Sequence, residues 1–248
     1  GILPTFNFKE GSFAKADVIS GETMSKTILV QRGTCYGCFV RCKREVQVGE
    51  PYSVDPIYGG PEYETIAAFG SICGIDDLKA ISWANQICNA YGLDTISTGS
   101  LIAFAMECYE NGILTQKDTG GLELRFGNAE AMMRMVEMIG KREGLGDTLA
   151  EGISSAAEKF GKGADRFAIH VKGMPVPFHE PRGKVGVGLG YAVSPTGPDH
   201  MEFPHDPFWA TEAGVALLRP LGILEPVDVF DLGPRKAVSY THLRAHET

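Results

Sequence analysis

Residues 95–109 are the most restrictive stretch of the chain. Ile96, Leu101, Ile102, Phe104, Ala105 and Met106 fall on most sides of a helix rather than along one stripe. A helix without a polar face has nothing to offer water, so other elements must enclose it. The fold therefore has to supply surrounding helices. The chain of 248 residues, 44% of them hydrophobic, is long enough to do so.

The flanking sequence provides candidates. Asp76 or Asp77 can cap a helix in which Leu78, Ile81, Ala84 and Cys88 recur at three- to four-residue intervals, and Gly92 is a suitable stop. Asn111-Gly112 ends the enclosed helix. Asn128 caps a further helix to about Arg142, with Met132, Met135, Val136 and Ile139 inward. Asp147 is expected to cap another, running to Phe160, and residues 14–32 have helix-compatible spacing that Gly21 weakens. Gly59-Gly60-Pro61 opens a short helix with Glu62 and Glu64 in its first turn. Strand signals are brief: 45–48 with 52–54, 122–126 and 167–171. Residues 173–199 are rich in Gly and Pro yet hold Val185, Val187, Leu189, Tyr191 and Val193, so they must run close to something. The expected class is mainly α-helical with a few short β-strands.

Charge and composition exclude several functions. Lys and Arg number 23 and Asp and Glu 31, a net charge of −8. That balance argues against nucleic acid as a partner. No apolar run is long enough for a membrane span, and the first residues lack a secretory pattern. Six cysteines with no export signal suggest reduced thiols in a cytoplasm. Glycine is in excess, 31 of 248 residues against a typical ~7%, which implies tight turns or close backbone approaches.

Three of the cysteines form the sharpest motif. Cys35-Tyr-Gly-Cys38-Phe-Val-Arg-Cys42 can bring three thiols from one loop onto adjacent corners of a compact metal centre. Thiolates are the usual ligands of iron–sulfur cubanes. Gly37 lets the loop turn, and Arg41, Lys43 and Arg44 could offset negative charge. Zinc is the rival metal, though no second cysteine pair completes a closed zinc site. Reduced cysteines at a helix start are the plain alternative. A cubane needs a fourth ligand. Cys73, Cys88 and Cys108 are available, but Cys88 and Cys108 read better as small buried hydrophobes.

Two further stretches have both a bland and a functional reading. Glu62 and Glu64 at a helix N-terminus could simply complement its dipole, an effect of up to about 1 kcal/mol, or one could move protons at a reaction centre. Asn89-Ala-Tyr-Gly92-Leu93-Asp94-Thr95 is explained by a Gly stop followed by an Asp cap. It could also present polar groups to an anionic cofactor. His179, His200 and His205 lie in or near the Gly/Pro-rich stretch.

Taken together, CYGCFVRC (35–42), GPEYET (60–65), CGIDDL (73–78), CNAYGLDTIS (88–97), IAFAMECYENG (102–112) and HEPRGKVGVGLGYAVSPTGPDH (179–200) resemble the aldehyde:ferredoxin oxidoreductase family, tungsten enzymes with a bis-pterin cofactor. The resemblance covers roughly residues 1–235. It implies the family's helical second domain and part of the third, without the β-rich pterin-binding base. The expected division is a helical domain over 1–165 and part of a further cofactor-facing domain over 166–236. Residues 237–248 read as a foreign tail, similar to translated sequencing-adapter sequence.

The resemblance also implies roles. Cys35, Cys38 and Cys42 match three ligands of a [4Fe-4S] cluster, whose fourth ligand belongs to a later motif not found here. Gly92, Leu93 and Asp94 match a pterin-contact motif, in which Asn89 replaces the leading Asp. Glu64 matches a glutamate near the tungsten, and His200 a histidine proposed to act with it. The implied reaction oxidises an aldehyde to a carboxylic acid with ferredoxin, or another electron-transfer protein, as acceptor. Molybdenum could stand in for tungsten, and a homo-oligomer or hetero-complex is compatible. Two alternatives remain: a relative that reduces an aromatic acyl-CoA, and an iron–sulfur electron-transfer module without a substrate site. The fragment alone is expected to be inactive.

Overall fold

The computed structural model describes residues 3–202 and 205–228. The expected foreign tail at 237–248 lies outside them. The chain divides into two compact units between Phe178 and His179. The division expected at 165/166 falls inside the first unit, in a 3-10 turn over Ala164–Phe167.

The first unit is helical, as its patterning demands. α2 (Tyr63–Phe69), α3 (Leu78–Tyr91), α4 (Thr95–Glu110) and α5 (Ala129–Lys141) form its centre, after a short α1 (Gly21–Thr27). Caps define the long helices. Asp77 accepts from the Lys79 and Ala80 amides, Asp94 from Ser97 and Asn128 from Ala131. Gly92, in the left-handed region at φ 70°, stops α3. α4 is enclosed as expected, with Ile102 to Met106 and Cys108 fully buried. Phe104 stacks on Phe160 at 5.5 Å between ring centroids. Gly99 is needed where α4 meets α2, because a Cβ there would lie 2.5 Å from the Ala68 carbonyl oxygen. Met132, Met135, Val136 and Ile139 form the inner face of α5.

Five expectations change. The helix over 14–32 shrinks to α1, because the Ser20 hydroxyl caps it by accepting from the Thr23 amide. The apolar run after Thr27 instead becomes β1 (Leu29–Gly33), which pairs antiparallel with β2 (Lys43–Val46). The strand at 45–48 therefore pairs with β1, while Val48 meets Val54 only in an isolated bridge. Residues 122–126 form no strand. The Leu122 carbonyl accepts from the Thr119 hydroxyl, and the Glu123 carbonyl from the Arg125 amide and the Asn128 side chain, so turn bonds replace a ladder. The helix expected from Asp147 is broken in two, α6 (Leu145–Leu149) and α7 (Ile153–Phe160), by Gly152 at φ 93°, and Asp147 lies inside α6, whose N-cap is Gly144, rather than capping it. The strand at 167–171 is reduced to β3 (His170–Val171), paired with β4 (Met174–Pro175). Fold class is unaffected: two two-stranded sheets accompany the helices among the described residues.

The second unit begins at His179. The Gly/Pro-rich stretch forms α8 (Val185–Val193), followed by α9 (Asp206–Ala210) and α10 (Glu212–Leu218). Buried Asp206 accepts from the Gly186 and Val187 amides and so serves the open start of α8. Trp209 and Leu218 form a small core.

Candidate functional site

The cysteine loop, residues 34–42, joins β1 to β2. Cys35 to Cys38 form a turn closed by the Cys38 amide on the Cys35 carbonyl at 3.0 Å, with Gly37 at φ 70°. That is the type II arrangement, and it explains why glycine occupies the third position. The Thr34 hydroxyl donates to the Cys38 carbonyl, and the Arg44 guanidinium to that of Cys42 at 3.2 Å. Cys35 and Cys42 are exposed and Cys38 is half-buried. The other three cysteines are different. Burial pushes the Cys88 and Cys108 thiols up to about 12 and raises Cys73 as well. Only the protonated thiol is populated there, which suits packing rather than ligation. Accessibility thus separates 35–42 as the place where thiols can be reached.

The loop leads into a cleft of about 380 Å³ within the first unit. Lys43, next after Cys42, lines it together with Gly59, Gly60, Asn85, Asn89 and Asp94. Leu93, Thr65 and Thr95 complete its inner wall, the two threonine hydroxyls 2.9 Å apart. The α3–α4 corner is therefore one wall, and the turn before α2 the other. Gly60 presses on β2, and a Cβ there would lie 2.8 Å from a Val46 methyl. Gly92 is the stop of α3 and Asp94 the cap of α4. Asn89 is held differently: its side-chain amide donates to the Tyr58 carbonyl at 3.1 Å. Asn85, one helical turn earlier, also donates to Tyr58 at 3.5 Å.

Neither glutamate side chain caps α2, although Glu62 stands at its N-cap position and Glu64 in its first turn. Glu62 pairs with Arg44 across to β2, and its side chain makes no capping bond. Glu64 accepts the Phe178 amide at 2.8 Å, and the Tyr63 hydroxyl donates to the Phe178 carbonyl at 2.9 Å. His200 lies in the second unit with His179 and His205; ring centroids are 5.2 Å apart for His179–His200 and 4.4 Å for His179–His205. His205 bonds the His200 carbonyl at 2.6 Å, and Lys184 reaches His179 at 2.8 Å. Burial holds His205 below the usual histidine range.

Sequence reasoning overlooked Lys43 and Asn85 as cleft residues, and the Tyr63 clamp on Phe178. A polar pair at i and i+4 on α3, Asn85 and Asn89, was the available signal for one of them.

Comparison with known proteins agrees with the motifs. The family model for aldehyde ferredoxin oxidoreductase, domains 2 and 3, matches residues 1–245. A tungsten-containing aldehyde ferredoxin oxidoreductase of Thermococcus kodakarensis is 42% identical over 206 residues, covering 82% of this chain and 33% of the relative. The WOR-like subunit of an aliphatic sulfonate oxidoreductase of Pyrococcus furiosus is 34% identical over 205 residues, 79% of this chain and 32% of the relative. Among solved structures, the active-site complex BamBC of benzoyl coenzyme A reductase with 1,5-dienoyl-CoA matches with a TM-score of 0.53 and 27% identity, over 63% of this chain and 23% of that chain. The chain spans about a third of the length of the relatives it matches in sequence.

Proposed function

Because this chain belongs to the aldehyde ferredoxin oxidoreductase family, we propose that it is the cluster-bearing, helical part of a tungsten-pterin oxidoreductase that converts an aldehyde and water to a carboxylic acid. The observation that carries this reading is the adjacency of loop and cleft. Three accessible cysteines sit in one loop whose next residue, Lys43, lines the cleft that also holds Asn89, Leu93 and Asp94. A one-electron relay beside a cofactor site needs that arrangement.

The residues fit the implied groups in kind. Cys35, Cys38 and Cys42 would hold a [4Fe-4S] cluster by thiolates, and Arg44 and Lys43 would temper its charge. Gly92, Leu93 and Asp94, with Asn89, would face a pterin. When bound, the tungsten-pterin supplies two-electron oxidation, and the cluster passes the electrons on singly. The overall balance is aldehyde plus water to acid, two protons and two electrons. This chain's task is then to hold and move the protons. Glu64 and His200 are the proposed groups, since a carboxylate and an imidazole can each accept a proton and release it again. The Phe178 amide on Glu64 orients that carboxylate. Ferredoxin is the proposed acceptor.

The 42% identity to a tungsten-containing aldehyde ferredoxin oxidoreductase favours aldehyde chemistry over acyl-CoA reduction, where the structural likeness is 27% identical. The test is anaerobic expression of the full-length protein, metal analysis and electron paramagnetic resonance. Iron and tungsten with a cubane signal, and activity on an aldehyde panel, are expected. Zinc without iron, or turnover only of aromatic acyl-CoA, overturns the reading.

A further inference from the structure

The chain is acidic as a whole, but its charge is unevenly distributed. Residues 23–44 contain Lys26, Arg32, Arg41, Lys43 and Arg44 and no acidic side chain, in a protein of net charge −8. The fold gathers these groups. Lys26, Arg32 and Arg44 line one surface cleft of about 420 Å³, where Glu22 is the acidic member. The Arg41 guanidinium donates to the Arg32 carbonyl at 2.7 Å, which ties the cysteine loop to β1. Arg44 is paired with Glu62. Among the described residues, Lys26, Arg32, Arg41 and Lys43 form no ion pair.

Apolar side chains stand in the middle of this basic ground. Tyr36 and Phe39 are almost fully exposed, at 107% and 94%, and Val40 at 62%. All three lie between the cysteines. Exposed aromatics at the centre with cations around them make the anatomy of a transient interface: apolar contact for the hold, charge for steering and orientation.

We propose that the basic, aromatic-tipped surface over residues 26–44, from the end of α1 through the cysteine hairpin, is the docking surface for a small acidic one-electron carrier. Charge complementarity selects that occupant. An acidic carrier is attracted to this basic stretch in a chain whose net charge is −8, so its cofactor is brought to the cysteine loop. The proposal rests on the reading that this loop holds the cluster. At each encounter one electron passes from the reduced cluster to the oxidised carrier. Two carriers are therefore reduced for each aldehyde oxidised, and the two protons go to water.

The test uses the full-length protein and a small acidic ferredoxin as probe. Lys26→Glu/Arg32→Glu and the neutral Lys26→Gln/Arg32→Gln are compared with wild type for ferredoxin binding by surface plasmon resonance, at low and high salt. Wild-type binding should weaken with salt. Charge reversal should weaken binding by about tenfold or more at low salt and flatten the salt dependence, with the neutral pair in between. Phe39→Ser should weaken binding with the salt slope unchanged. In turnover, charge reversal should raise KM for ferredoxin and leave aldehyde oxidation with a viologen dye unchanged. Unchanged ferredoxin binding in the reversed variant, or absence of wild-type binding, overturns the docking proposal. Iron content, measured in parallel, reports separately on the cluster reading: a protein without iron that still binds the carrier through this patch would sink that reading and keep the surface.

Discussion

The enclosed helices of the first unit and the cysteine hairpin are built from opposite materials. In α4, Ile102 to Met106 have no exposure, and the hydrogen bonds that set its start lie within a few residues of each other. The hairpin between β1 and β2 has exposed aromatics, exposed thiols and a turn held by backbone and threonine. The first is stable because of what it excludes, and the second is useful because of what it leaves accessible. The same residue type makes the contrast sharpest, since cysteine occurs three times in each environment.

That contrast predicts the largest effect. With Cys88 and Cys108 thiols raised to about 12, only about one in 10⁴ is ionised at pH 8. Alkylation of the metal-free native protein by iodoacetamide at pH 8, followed by peptide mass spectrometry, should label Cys35, Cys38 and Cys42 at least about 10³-fold faster than Cys73, Cys88 and Cys108. Comparable labelling of all six would erase the distinction between the two regions.

Truncation is the next largest. Phe104 is fully buried and stacked on Phe160, so Phe104→Ala should destabilise the first unit by about 3–5 kcal/mol. Gly37→Ala, which places a side chain at positive φ in the open turn, should cost about 1 kcal/mol locally and leave the core transition nearly unmoved. Denaturant melts of the two variants measure the difference. Equal losses would mean that the hairpin is part of the core's cooperative unit.

How much of this was legible follows from where the controlling interactions lie. Asp77, Gly92, Asp94 and Asn128 act on neighbours two to four positions away, so the bounds of α3, α4 and α5 could be read from them. The false strand at 122–126 had the right alternation but no partner strand, and alternation cannot report a missing partner. The 14–32 helix failed because Leu29–Gly33 found β2, a long-range choice that overrides local spacing. Similarly, Asp147 suggested one helix, and the positive φ of Gly152 made two. In the site, the turn at Gly37 was legible because turn chemistry is local. The Asn85–Tyr58 and Asn89–Tyr58 bonds cross 27 and 31 residues, and no spacing rule anticipates them.

Tyr52 joins the two regions, packing against both the helical core and the small cluster of Met24, Val46 and Val54 beneath the hairpin. Its hydroxyl donates to Asp77, the cap of α3, and that bond, with burial, pushes the phenol up to about 12 from 10. The unfolded chain ionises first on the alkaline side. The folded state then holds the extra proton, so stability is lost as pH rises from 10 towards 12. Tyr52→Phe should lower stability by about 1 kcal/mol at neutral pH and show a shallower loss over that alkaline window. A variant curve parallel to wild type would mean that the bond does not link hairpin and core.

The smallest expected effect is the most discriminating for the cleft. At position 89 the family resemblance implies an aspartate, and by that logic Asn89→Asp should restore a cofactor contact. The geometry gives the opposite sign. Asn89 donates to the Tyr58 carbonyl, and an ionised carboxylate has no proton to donate. The neighbouring Gly59 carbonyl accepts from Val46 of β2, so disturbing this turn would be felt along the strand that leads out of the cysteine loop. Asn89→Ala loses one exposed bond, about 0.5–1 kcal/mol. Asn89→Asp should cost more at pH 7, because its carboxylate faces a carbonyl oxygen. The protonated acid can donate, so the folded state raises the pKa of the introduced carboxyl above its unfolded value. The stabilising form is then fully present below the unfolded pKa of ~3.9 and is lost as pH rises through the folded pKa. Melts from about pH 3.5 to 7, a range that brackets this titration, should therefore show Asn89→Asp no worse than Asn89→Ala at the acid end and worse at neutrality, with faster amide exchange at residues 58–60 and 43–46. An Asn89→Asp variant as stable as wild type at pH 7, with unchanged exchange, would show that position 89 is free to serve the cleft rather than hold its wall.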